Sequence, residues 1–345
     1  MSAIHYFNPD TDYALAANSE FYTAPASVIA LKRKMALLPA LYAHRGDIIL
    51  IDDNSDDPSL SSLSFYDTAI SKGVRILTVT ELSDLADISG LIPEPWGWNR
   101  QVRKIFTDCN SGLRVPDDTT LDMIRMLSHR RTGIKMFQEM EDVISEEIDA
   151  PEEIFTVEAG VKAFEKDCNR FFKAPWSSSG RGVMLTDDLE RKHVEPWLRG
   201  IIRRQGSVMM EKAYCRKLDF ATEWRCREGE AVFLGYSVFT TSRRGKYRRN
   251  TIASQKELEQ IIIDASSPAH TLTEKSPRWN HDMLMRQKLA IEKIITTGYN
   301  GPLGVDMLVT ESGNVNPCVE MNFRHTMGMA PLTESYNPYS LNYEE

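Results

Sequence analysis

The run Gly304-Val-Asp-Met-Leu-Val-Thr-Glu-Ser-Gly-Asn-Val-Asn-Pro-Cys-Val-Glu-Met-Asn-Phe-Arg324 constrains the rest of the chain most. Val305–Val309 and Val315–Met321 are β-rich, and Glu311-Ser312-Gly313-Asn314 between them favours a turn. If the two runs pair antiparallel about Gly313, Asp306 faces Glu320. Side chains alternate along a strand, so Glu320, Asn322 and Arg324 share one face, and Val319, Met321 and Phe323 take the other. Pro317 puts the second run at a sheet edge or in a bulge. Two carboxylates, an amide oxygen and a guanidinium in one small volume suit a hard cation with an anion beside it. The bland alternative is a solvated hairpin face.

A chain of 345 residues can bury a sizeable core in two or three domains. Its 42% hydrophobic and 26% charged residues are ordinary for a soluble globular protein. No apolar run reaches the length of a membrane helix, and no basic-then-apolar signal opens the chain. A net charge of −8 argues against a general nucleic-acid binder. Cys109, Cys168, Cys215, Cys226 and Cys318 are odd in number and lack CxxC spacing. They read as reduced thiols of a cytoplasmic protein, with neither a disulfide framework nor a zinc site.

Residues 1–105 alternate strands with helices, which predicts a small parallel sheet. Ile4–Phe7, Asp47–Asp52 and Val74–Val79 read as strands. Pro25 to His44 reads as a helix with Val28, Leu31, Met35, Leu38 and Tyr42 on one face. Asn8-Pro-Asp-Thr-Asp12 follows the first strand, where open α/β sheets place ligands. Pro93-Glu-Pro-Trp-Gly-Trp-Asn99 is a loop of aromatics and turn formers. Either loop is a candidate lining of an acceptor pocket, against the plainer readings of a turn and a packed aromatic plug.

Leu121 to Met140 is helical in pattern, interrupted at 128–133. Further on, a strand ending in Lys173 runs into Ser177-Ser-Ser-Gly-Arg-Gly182, and Val183–Leu185 leaves it. Such a loop folds its N–H groups around phosphate oxygens with the lysine as a nearby charge, or is a simple hairpin turn. It is not a P-loop, because its glycines follow the lysine. Val208-Met-Met-Glu-Lys-Ala-Tyr214 is an apolar strand breaking into Glu-Lys. Period two is clean over Asp219–Arg227: Phe220, Thr222, Trp224 and Cys226 face one way, Asp219, Glu223, Arg225 and Arg227 the other. Ala231–Phe239 reads as its antiparallel neighbour. Arg243, Arg244, Lys246, Arg248 and Arg249 crowd one loop, to meet phosphates or an acidic substrate, or simply water. Residues 282–297 read as an amphipathic helix stopped by Gly298.

In this order the pieces resemble the ATP-grasp superfamily. Met210-Glu211-Lys212 and Glu320-Met-Asn-Phe-Arg324 are similar to counterparts in its biotin carboxylase and carbamoyl-phosphate synthase branches, and the likeness covers roughly residues 128–330. The resemblance implies an α/β chain: two α+β subdomains clamping ATP, preceded by a small Rossmann-like parallel domain. The expected bounds are 1–127 for that domain with a linker helix, 128–209 for the lid and 210–345 for the half carrying magnesium. Lys173 and Arg130 (or its neighbour Arg131) would contact phosphates, under a loop including Ser178, Ser179, Gly180 and Gly182. Glu211 and Lys212 would lie at the adenine. Asp306, Glu320 and Asn322 would hold Mg2+, or Mn2+ in its place, and Arg324, Arg225 and Lys173 would serve the transferring phosphoryl group.

The implied function is an ATP-dependent carboxylate–amine ligase working through an acyl-phosphate. The carboxylate and the amine or thiol would be small molecules or peptides. The alternatives are an ATP-grasp phosphotransferase and a non-catalytic nucleotide-binding module. Neither nucleic acid nor membrane is expected as a partner, and a homodimer is. Acceptor choice is expected in loops 8–12, 93–99, 243–250 and His325–Gly328, with His325 a base or a satisfied histidine.

Overall fold

Ile4, Ile48 and Ile49 are wholly buried, and the strands that carry them lie inside a parallel sheet. A computed structural model describes residues 2–53, 60–177, 182–243, 245–267 and 279–332. The chain divides into two units, Met1–Arg125 with Arg324–Glu345, and Met126–Phe323.

In the first unit β1 (Ser2–Tyr6) leads through α1 (Thr11–Ala17) and α2 (Ala26–Lys34) to β2 (Ile48–Ile51). Then come α3 (Tyr66–Lys72), β3 (Arg75–Thr78), α4 (Val79–Ser83), β4 (Leu91–Pro95) and α5 (Arg100–Cys109). The strands are all parallel, in the order β3-β2-β1-β4. Ile48 and Leu50 pack with Tyr6, Val102 and Phe106, while Ile49 packs with Leu37, Ala40 and Ala69 on the other face. Burial on both faces is why this strand reads as an unbroken apolar run.

Two expectations need correction here. The helix across Pro25–His44 is two pieces: α2 stops at Lys34, and a 3-10 turn takes Leu38–Leu41. Pro39 has no N–H to continue an α-helix. The supposed common face is also broken, since Leu31 is exposed while Leu38 is buried. Secondly, Pro93 and Pro95 lie in β4 and not in a loop. Among the described residues that strand pairs only with β1, so it is an edge, where a missing N–H is tolerated.

The second unit follows α6 (Asp118–Leu127) and holds two antiparallel sheets. Its α7 (Thr132–Glu139) precedes β5 (Glu152–Ile154), α8 (Val157–Lys166), β6 (Arg170–Lys173), β7 (Val183–Leu185), α9 (Arg191–Gln205) and β8 (Val208–Lys212). These strands form a sheet in the order β5-β8-β6-β7. Phe172, Val208 and Met210 pack beneath Val161, Phe164, Val194 and Leu198 of its two helices.

The other sheet runs β11-β10-β9-β12-β13, from β9 (Arg216–Arg227), β10 (Glu230–Thr241), β11 (Tyr247–Asn250), β12 (Gly301–Thr310) and β13 (Val315–Asn322). Helices α10 (Gln255–Ala265) and α11 (His281–Ile294) accompany it. Part of the basic stretch expected as a loop is therefore the edge strand β11; Arg244 lies outside the described residues. Among the described residues no helix is long and apolar enough to cross a membrane.

Candidate functional site

Register decides which side chains of the five-stranded sheet share a face. Asp306 pairs with Glu320 on one side and with Ala221 on the other, while Gly304 pairs with Asn322 and Glu223. Directly paired residues point the same way and alternate residues repeat it, so Asp306, Glu320, Asn322, Glu223 and Arg225 occupy one face. Glu223 is buried and accepts from Ser237 Oγ at 3.0 Å. Arg225 stands opposite Pro302, four residues along β12 from Asp306, a rise of about 13 Å. Phe220, Thr222, Trp224, Leu303, Val305 and Met307 fill the other face as core.

The strand β13 meets both expectations drawn from Pro317. It is an edge, and its register shifts: Asp306 faces Glu320, whereas Leu308 faces Asn316. The alternation expected to bring Arg324 onto the face ends with the strand at Asn322. Arg324 belongs to the first unit, where its Nε and Nη2 donate to Asp12 Oδ2 at 3.1 and 2.8 Å.

Arg130 Nη2 lies 2.7 Å from Glu320 Oε1 and 3.0 Å from the carbonyl oxygen of Ser177. Its own N–H donates to the carbonyl of Pro175, which fixes its backbone to the chain leaving β6. Arg130 Nε and Nη1 and Ser177 Oγ are buried and have no hydrogen-bond partner among the described residues. The neighbouring Arg131 turns instead to Glu153 at 2.8 Å. Lys173 is buried and ion-paired with Glu211 across β6 and β8. Lys212, half-exposed, lies 3.6 Å from Asp149.

Cys318 ties these groups together. Burial pushes its thiol far up, Glu211, Asp306 and Glu320 push the same way, and Lys173 opposes them. Four of the expected site residues thus act electrostatically on one thiol. Gly182 has φ +70°, and a Cβ there would come within 2.9 Å of Ser177 Cβ and 3.2 Å of Ala174 Cβ. That close backbone turn ends the loop whose Ser178, Ser179 and Gly180 lie outside the described residues.

The donor set fits a divalent cation: two opposed carboxylates offer hard oxygens, and Asn322 Nδ2 holds Asp306 Oδ2 at 3.1 Å. No cluster of three or more His, Cys, Asp or Glu suited to a metal occurs among the described residues, so the third ligand expected is the amide. The unpartnered donors of Arg130 and Ser177 fit phosphate oxygens. Gln287 and Asn316, beneath and within β13, carried no signal in the sequence beyond being polar.

The first unit gathers three of the four loops expected to choose the acceptor. Asn8 Nδ2 donates to Gly97 O at 2.8 Å and Gly97 N donates back to Asn8 Oδ1 at 3.2 Å. A Cβ on Gly97 would meet Thr11 Cγ2 at 2.6 Å and Arg324 Cβ at 2.9 Å. His325 N donates to Trp96 O, and its ring stacks on Tyr42 at 4.6 Å. Burial raises the Asp10 carboxyl above its ordinary range. Tyr6 OH donates to Asp52 Oδ1 at 2.5 Å, and Lys32 Nζ lies 2.6 Å from Asp52 Oδ2.

No protein-family model and no curated protein sequence matches the chain. Solved structures do. The biotin carboxylase of Campylobacter jejuni, in its beta-gamma-ATP complex, is 13% identical with a TM-score of 0.53, over 96% of this chain and 67% of that one. The biotin carboxylase domain of the Hydrogenobacter thermophilus 2-oxoglutarate carboxylase, a dimer with MgADP, ADP and bicarbonate, is 13% identical with a TM-score of 0.52. That match covers 94% of this chain but 64% of the other, so the chain spans less than two thirds of that domain. The fold is the ATP-grasp fold.

Proposed function

We propose that this ATP-grasp chain is an ATP-dependent ligase that joins a carboxylate to an amine or thiol on small molecules or peptides. The observation that carries the reading is the Arg130 guanidinium, which joins Glu320, opposite Asp306, to the Ser177 carbonyl, with donors of Arg130 and Ser177 buried and without a hydrogen-bond partner among the described residues. A carboxylate is a poor electrophile. Moving the γ-phosphoryl group onto one of its oxygens releases ADP and leaves an acyl-phosphate. The amine then attacks the carbonyl carbon, phosphate departs with the C–O electron pair, and the amine loses a proton.

Asp306, Glu320 and Asn322 would hold Mg2+ or Mn2+, which supplies charge neutralisation for the nucleotide phosphates. Lys173 and Arg130 position the transferred group by charge and hydrogen bonds, the kind of assistance phosphoryl transfer needs most. Glu211 and Lys212 would border the adenine, and Arg225 would lie on the acyl-phosphate side. The lid is taken to run from 128 through β8, whose sheet it completes, and the metal-bearing half from there to Phe323. A homodimer is the proposed assembly.

The test is a screen of carboxylates crossed with amines for stimulated phosphate release. Release requiring both partners supports a ligase. A stable phosphorylated product from one partner makes the chain a phosphotransferase, and nucleotide binding without turnover makes it a binding module.

A further inference from the structure

The opposition of Asp306 to Glu320 is not the register that the turn end of the hairpin dictates. Val309 faces Val315 and Leu308 faces Asn316. Continued unbroken, that pairing would put Cys318 opposite Asp306. Instead, between Leu308 and Asp306 the strand β12 advances two residues while β13 advances four. The two additional residues are a bulge at 317–319, and a shift of two keeps the polar face polar.

Something must hold that bulge, because relaxing it would restore regular ladder pairing. Asn316 Oδ1 accepts from Cys318 N at 3.0 Å. From the apolar side of the sheet, Gln287 of α11, wholly buried, reaches the same turn. Its Nε2 donates to the carbonyl of Pro317 at 3.3 Å and touches Met307 Sδ at 3.0 Å, and its Oε1 accepts from Thr222 Oγ1 at 2.8 Å. A buried amide in an apolar layer is costly unless every group is matched, and here the match falls on a carbonyl inside the bulge that the ladder register skips.

We infer that Gln287 is a positioning residue that locks the β13 bulge and so sets Glu320, not Cys318, across from Asp306. That the opposed pair holds a cation rests on the reading in the preceding subsection; the register role does not. The competing anchor is the Arg130–Glu320 ion pair at 2.7 Å. If that pair alone sets the register, loss of Gln287 changes nothing at Asp306.

The experiment uses the full chain with Asp306→Cys as a reporter and diamide as the oxidant. In the native register the introduced thiol faces Glu320 and no intramolecular disulfide with Cys318 forms. Adding Gln287→Met, which keeps the volume but loses the donor to Pro317, is expected to let the 306–318 disulfide form, as read by peptide mass mapping. Adding Thr222→Val instead leaves the Pro317 contact in place and is expected to give none.

In the parent background, Gln287→Met is expected to weaken Mn2+ binding in the presence of a non-hydrolysable ATP analogue by about tenfold, the scale of an outer-shell loss. Thr222→Val should leave it within twofold. No disulfide and no Mn2+ shift in folded Gln287→Met overturns the inference, and Gln287→Leu stands in should the methionine variant not fold. If the disulfide forms but Glu320→Gln leaves Mn2+ affinity unchanged, the register role stands and the metal assignment falls.

Discussion

Arg130 donates to Glu320 and to the carbonyl of Ser177 through the same nitrogen. One guanidinium therefore spans the strand expected to hold a metal and the chain entering the loop expected to meet phosphates. The same contact also fixes where the Glu320 carboxylate points.

Removing the Glu320 charge while keeping an oxygen for Arg130 separates chemistry from folding. Glu320→Gln is expected to lower divalent-dependent ATP turnover by about 100-fold or more. The thermal midpoint should move by no more than about 4 °C, because the Arg130 hydrogen bond survives. Turnover near the parent rate would remove Glu320 from the metal site.

Lys173 and Glu211 should behave as a coupled pair. Lys173→Met leaves the Glu211 carboxylate only 16% exposed and without its lysine, at a cost of about 2–3 kcal/mol in urea unfolding. Adding Glu211→Gln should recover about half of that stability, because the stranded charge is gone. Nucleotide affinity should stay low in both variants. Affinity restored by the double substitution would mean that Lys173 acts only as a structural counter-ion.

In the first unit, Gly97→Ala is expected to destabilise by about 1–3 kcal/mol, since its methyl group lands on Thr11 and Arg324 within a tightly tied loop pair. Equilibrium denaturation measures this directly. A neutral result would show that the Asn8–Gly97 tie is slack.

Asp47 supplies a pH signature. Burial works to raise its carboxyl, but hydrogen bonds from His5, His44 N–H and Ala3 N–H outweigh it and hold the group below its ordinary range. A carboxyl depressed in the folded state contributes stability above its unfolded value, and loses it as pH falls through the folded one. Parent protein should therefore lose this contribution below the usual aspartate range, while Asp47→Asn should show a flatter acid limb in thermal melts. Identical limbs would contradict it.

The hairpin was legible because a turn-forming tetrad and period two mark its two strands and their faces, and Asp306 does face Glu320, though by way of a bulge and not of the turn's own register. The bulge that secures this pairing was only half legible. Pro317 announced an irregularity, but the glutamine that holds it lies 30 residues earlier on a helix, where polarity alone says nothing. Apolar spacing overextended the helix at 25–44 because Leu38 and Tyr42 continue its period beyond Pro39. Proline hid β4, since proline's strand penalty vanishes at an edge that one sequence cannot reveal. Arg324 was carried too far by alternation, which has no force past the last ladder residue.

Cys318 is buried in the edge strand that carries Glu320, whereas Cys168 and Cys215 are exposed. An alkylating reagent should therefore tag the two outer sulfurs within minutes and leave the three buried ones, Cys109, Cys226 and Cys318, untouched until their surroundings part, with peptide mapping telling Cys318 from the other two. The slow phase of such a reaction times how often the interior breathes, without any foreign label. A bound nucleotide that clamps the two sheets together would lengthen it.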